Sequence, residues 1–154
     1  MVLPAPEAAW SGPDGLFGRL AGRWELLRRI APEGELRGIA VFSAGEGGRL
    51  DYAERGELSL PGGFRAPAER RYLFFPRAAG FAVFFAERPP RPFHEVTLAA
   101  DRRGRLLGRA RHRCAADLYL TSYAFLPDGS FVIRHRVRGP RKAYCLTSRY
   151  RRAD

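Results

Sequence analysis

Lysine is almost absent from this chain: Lys142 stands alone beside 26 arginines. Cysteine is nearly as scarce. Cys114 and Cys145 are too few for a disulfide scaffold or a four-thiolate zinc site. Long apolar runs are missing too; the longest, Ala78 to Ala86, is too short to span a bilayer. Residues Met1 to Glu7 lack the basic start and apolar stretch of a signal peptide, so a cytoplasmic protein with no membrane span is expected. No glycine-rich phosphate loop opens a helix after a strand, and no Gly-x-Ser-x-Gly elbow occurs. These absences weigh against a nucleotide-binding fold and an α/β-hydrolase.

What remains is a chain of 154 residues, 45% apolar, long enough to close one core. Pro4, Pro6, Gly12 and Pro13 suggest a flexible lead-in over residues 1–13 and a single domain over 14–154. The net charge is +11. The arginine comes with abundant alanine, glycine and proline, the signature of GC-rich coding on a solvated surface. Its clusters at 70–71, 102–105, 109–113, 134–142 and 149–152 are short and scattered. The charge therefore suits a small anionic ligand at least as well as a nucleic acid.

Leu16 to Leu20 reads as a short helix, with Asp14 as a candidate N-cap. Beyond Gly22 the period becomes two. Trp24, Leu26, Arg28 and Ile30 share one face; Leu50, Tyr52, Glu54, Gly56, Leu58 and Leu60 form the cleanest alternation. Further strands are expected over 36–43, 69–75, 80–87, 94–99, 106–114, 117–126, 130–138 and 143–151, with Pro127-Asp128-Gly129 as a hairpin turn. Ten short strands with no intervening helices predict an all-β antiparallel closed barrel of about 8–10 strands behind a short N-terminal helix.

Leu20-Ala21-Gly22-Arg23-Trp24 resembles the Gly-x-Trp opening of calycin barrels, that is lipocalins, fatty-acid-binding proteins and nitrobindins. The resemblance implies that the tryptophan caps one barrel end beside a basic residue of the last strand, here Arg149, Arg151 or Arg152. The nitrobindin continuation Gly-x-Trp-x-Gly-x-Gly is absent, because Leu26 and Arg28 hold its later positions. No cofactor is therefore expected, with haem the option held in reserve. Nearly the whole chain also resembles a bacterial and fungal family of unknown function, through residues 22–26, 50–54, 92–94, 112–119 and 137–144. That resemblance implies a shared site without naming an activity.

In a small barrel alternate residues point inward, and buried polar groups need partners. On this logic His112 and Cys114 share one strand face, and Asp117 and Tyr119 share the next. A tight Ala115-Ala116 turn would bring the four together. They read as a pocket wall or as hydrogen bonds closing a turn; a metal site is not expected. His94 lies on the face of Val96 and Leu98, while His135 reads as a satisfied core residue beside Phe131 and Ile133. Glu54 calls for a buried cation, and Arg28 is the candidate. Arg138, Arg141 and Lys142 flank a Gly-Pro bend before Tyr144 and read as an anion-binding rim or a solvated hairpin.

These residues suggest binding of a small amphipathic or anionic ligand inside the barrel of a monomer or homodimer. One alternative is an enzyme using His94 or His112 as acid/base, oriented by Asp117, with Tyr119 or Lys142 stabilising negative charge. The other is nucleic-acid binding by the basic exterior.

Overall fold

The computed structural model describes residues 15–153 together with Trp10 and Gly12. A five-residue helix α1 (Leu16–Leu20) leads into ten strands. They are β1 (Gly22–Ala31), β2 (Glu35–Ala44), β3 (Leu50–Leu60), β4 (Phe64–Arg77), β5 (Gly80–Phe85), β6 (Arg91–Ala100), β7 (Leu106–Cys114), β8 (Asp117–Phe125), β9 (Phe131–Arg138) and β10 (Ala143–Arg152). Each strand pairs antiparallel with the next, and β1 pairs with β10 to close the barrel. Closure leaves no free sheet edge at the seam, which is how a long meander avoids templating aggregation.

One end of the barrel is filled with rings. Phe42, Phe74, Phe81, Phe125, Phe131 and Tyr150 are buried there, and Phe131 stacks on Tyr150 with centroids 4.3 Å apart. Trp24 closes this end. Its indole Nε1 donates to the Leu20 carbonyl at 2.9 Å, which ties β1 back to α1. The Arg152 guanidinium lies 4.0 Å from the Trp24 ring and donates to the carbonyls of Ala21 and Arg19. It thereby satisfies carbonyls at the end of α1. Arg152 is thus the basic partner expected for Trp24. Trp10 packs over the same end, stacked on Trp24 at 6.2 Å, so this part of the expected lead-in belongs to the core. The rest of that lead-in and the proposed cap Asp14 lie outside the described residues. Gly15 holds the N-cap position of α1, without a side-chain hydrogen bond.

Three irregularities shape the other end. The β5–β6 register shifts between Val83 and Phe84, where Val83 opposes His94 and Phe84 opposes Pro92. This β-bulge turns both Phe93 and His94 into the interior. Second, β6 meets β7 only over Thr97–Ala100 against Leu106–Arg109. The early part of β6 and the late part of β7 therefore diverge, opening the wall. Third, β4 pairs with β5 only from Tyr72 onward, so Phe64–Arg71 has β3 alone beside it. The sequence predicted this strand from Glu69. The strand runs back through Pro67, which sits on an edge, where proline is tolerated.

Candidate functional site

The site is a cavity of about 250 Å³ at the end opposite Trp24. Its apolar wall is built from Phe85, Phe93, Val137 and Leu146, with the rings of Tyr72, Tyr119 and Tyr144. Arg70 and Arg91 supply cationic groups, and His112, His135 and Cys114 complete the lining. No carboxylate lines it. The barrel's period of two explains the convergence: Arg70 and Tyr72 lie on the inward row of β4, His112 and Cys114 on that of β7, and Tyr144 and Leu146 on that of β10. Phe93 reaches the cavity through the β6 bulge.

Beneath the cavity is a chamber of about 20 Å³, roomy enough for about one water. Arg70, Tyr72, Phe93 and His135 line both spaces. The chamber floor holds a buried ion pair. Arg28 and Glu54 are each 4% exposed. The Arg28 Nη2 donates to Glu54 Oε1 at 2.9 Å, and Nη1 lies 2.9 Å from Oε2. The Arg28 Nε donates to Ser148 Oγ at 2.7 Å. Burial opposes the charge on Arg28, but nearby Tyr150 and Glu54 outweigh it and hold the guanidinium above its ordinary pKa. Tyr52 and Tyr150 hydroxyls meet at 2.8 Å, and burial drives both phenols up, Tyr150 to about 12. This network is the expected Glu54–Arg28 pair, extended by a serine and two tyrosines.

All three histidines of the chain enter the interior. His94 Nε2 meets the Tyr123 hydroxyl at 2.6 Å, while its Nδ1 is buried without a partner. His135 Nδ1 meets Thr121 Oγ1 at 2.8 Å, and its ring stacks on Phe93. His112 stands edge-on to Phe93 with centroids 5.3 Å apart, and its Nε2 is buried without a partner. Burial pushes His94 down to about 3, helped by the proximity of His112. Burial likewise pushes His135 down to about 3, with His94, Arg70 and Arg28 adding to the effect. Both imidazoles are neutral at physiological pH. Among the described residues no group of three or more His, Cys, Asp or Glu side chains is placed to hold a metal ion.

The residues singled out from sequence take different places. His112 and Tyr119 are direct cross-strand partners on the cavity wall; Cys114 and Asp117 face each other at the turn. Ala115 adopts a left-handed φ of 54°, which lets the turn close tightly. Asp117 turns toward Lys142, 3.3 Å from its Nζ, and not toward His112. The hydrogen bond from Lys142 to Asp117 raises the lysine pKa. His94 lies behind Phe93 and does not line the cavity. Arg28 and Glu54 line the chamber. Arg138 and Arg141 are exposed and off the cavity, so the expected cationic rim is not formed by them. The cavity's cations are Arg70 and Arg91, which the sequence reading did not single out. Arg70 lies directly across from Glu54 on the inward row, a placement legible only once the β3–β4 register is known. His135, read as a core residue, lines the cavity with its ring stacked on Phe93.

A closed ten-stranded antiparallel barrel with a short leading helix, capped by a Gly-x-Trp tryptophan under an arginine of the last strand, is consistent with a calycin-like fold. Residues 20–152 match a family of unknown function, DUF6314, and the chain belongs to that family. No curated protein matches the chain.

Proposed function

We propose that the barrel binds a small amphipathic anion in the cavity at its open end. One observation carries this reading: an aromatic-walled cavity whose lining holds two guanidinium groups and an unpartnered imidazole nitrogen, with no carboxylate. Tyr72, Phe85 and Phe93 supply flat apolar surface for the ligand body. Arg70 supplies a charge with no carboxylate within ion-pair distance among the described residues, suited to a carboxylate or phosphate head. Arg91 is held over the Phe85 ring at 4.1 Å by its two bonds to Glu87, so its orientation is fixed in advance. His112 Nε2 offers a buried polar contact that would fix the ligand's register. With about 250 Å³ available, the ligand is small. The protein's place of action on this reading is the cytoplasm, and the described residues contain no helix long and apolar enough to cross a membrane.

An acid–base enzyme has less support, because Asp117 is engaged by Lys142 and leaves His112 without an orienting carboxylate.

The test is a thermal-shift and calorimetric screen with aromatic and short aliphatic carboxylates and phosphate monoesters. Compounds that raise the melting temperature of the wild type should lose their effect on Arg70→Ala and His112→Ala. Hits that bind both variants as tightly as the wild type would remove the cavity as the site.

A further inference from the structure

The exterior of the barrel carries a second feature, independent of the cavity. Residues 106–153 contain eleven basic side chains and two acidic ones, so they account for +9 of the chain's +11. Elsewhere several exposed arginines are paired: Arg37 with Glu35, Arg55 with Glu69, Arg65 with Glu57, Arg77 with Glu95. On the outer face of β7, β8 and β9 they are not.

The register shows how they are arranged. Arg109, Arg111 and Arg113 alternate along β7 opposite Ser122, Leu120 and Leu118 of β8. Across β8, the same three residues face Arg134, Arg136 and Arg138 of β9. Six exposed arginines thus form two parallel columns on either side of a half-buried strip, Leu118-Leu120-Ser122. None of the six has a carboxylate within ion-pair distance among the described residues. Columns two strands apart are separated by about 9–10 Å, and successive arginines within a column by about 6.5–7 Å. Between them runs a groove of about 440 Å³, floored by Leu120, Thr121 and Ser122.

We propose that this groove is a binding surface for a single-stranded nucleic acid, held by its phosphodiester backbone. Like charges are brought together at a cost that a polyanion removes. The outside of a closed barrel is convex, so a rigid duplex touches it along a narrow line. A flexible single strand can lie between the columns and place phosphates against both. No aromatic ring lines the groove to stack on bases, so recognition is of the backbone and tolerant of sequence. The floor is recessed between the arginines and half-buried, which does not suit insertion into a lipid surface.

The experiment is fluorescence anisotropy with a labelled single-stranded oligothymidylate, across a salt series, with a duplex of equal length and phosphatidylserine vesicles as competitors. The wild type should bind the single strand more tightly than the duplex. Its log–log salt slope should be about −4, if all six arginines neutralise phosphates. Arg111→Glu with Arg136→Glu, both exposed, should lower affinity at least about tenfold. The control Arg37→Glu with Arg65→Glu changes net charge equally on another face and should lower it no more than about threefold. The milder Arg111→Gln with Arg136→Gln guards against misfolding of the charge-reversal variant and should fall between the two. Equal losses in the column and control variants would overturn the proposal. So would vesicle binding that depends on the columns while the oligonucleotide does not bind.

Discussion

Removing Arg28 should be far more damaging than removing Arg28 and Glu54 together. The two side chains are each 4% exposed and meet through two contacts of 2.9 Å. Arg28→Met leaves the Glu54 carboxylate buried beside Tyr52 and Tyr150 without its ion-pair partner. Stranding one partner of a buried pair typically costs about 3–5 kcal/mol. For a domain of this size that lowers the melting temperature by roughly 6–20 °C. Adding Glu54→Leu removes the stranded charge. The double variant should then lie within about 2 kcal/mol of wild type, since apolar replacement of a buried pair is often neutral or better. The residual loss comes from Ser148, whose buried hydroxyl loses its Arg28 Nε partner. Urea unfolding of wild type, Arg28→Met, Glu54→Leu and the double variant, followed by the fluorescence of Trp10 and Trp24, gives the three stability changes, and the cycle yields the coupling directly. Arg28→Met costing under about 1 kcal/mol, or a double variant costing the sum of the singles, would show that the pair is not coupled in this way.

Other outcomes follow from the same geometry. Stability should fall as pH drops from about 6.5 toward 3, because the unfolded chain takes up protons at His94 and His135 that the folded one refuses until about 3. The slope contributed by His94 reaches about 1.4 kcal/mol per pH unit, and His135, half-buried at the cavity wall, adds less. His94→Gln should flatten the profile measured by urea unfolding at a series of pH values; an unchanged profile would contradict this. Arg152→Ala should cost about 1–2 kcal/mol and speed amide exchange in α1, since it removes the partner of the Ala21 and Arg19 carbonyls. Gly38→Ala should destabilise by more than about 2 kcal/mol, because its Cβ would sit 2.1 Å from the Arg55 carbonyl oxygen of the neighbouring strand. Exposed Cys114 on the cavity wall should alkylate readily and become protected when the cavity is occupied, as a timed iodoacetamide reaction would show.

The barrel was legible because alternation along each strand is a local signal. Leu50–Leu60, with Tyr52, Glu54 and Leu58 in step, matches β3 residue for residue, and Leu106–Cys114 matches β7. The Gly22-Arg23-Trp24 opening even indicated how the closed end would be sealed, with Arg152 as the partner. The site was legible only in part, because a cavity depends on relations between strands. A bulge is invisible to a period-two pattern, so Phe93 was not seen as an inward residue beside His94. Arg70 and Arg91 are exposed like many other arginines of the chain, and only the paired strands show that they line the cavity. The same is true outside. Arg109–Arg113 and Arg134–Arg138 read as small scattered clusters, and the β7–β8–β9 register turns them into two columns. Conversely, the Arg138–Lys142 bend looked like a rim in sequence, whereas Lys142 is tied to Asp117 and Arg138 faces outward.

Whether the cavity at the open end holds a small anion is answered by native mass spectrometry of the protein purified from cells, with the screening compounds then added. An absorbance scan of the same sample would show a Soret band if the bound group were haem. Beside the wild type, Cys114→Trp places a bulky ring at the cavity wall without touching the core. The expected result is a non-covalent mass on the wild type, present on isolation or gained with an anionic compound, lost on denaturation and absent from Cys114→Trp. A single apo mass that no anionic compound shifts, or an adduct that Cys114→Trp retains in full, would contradict it.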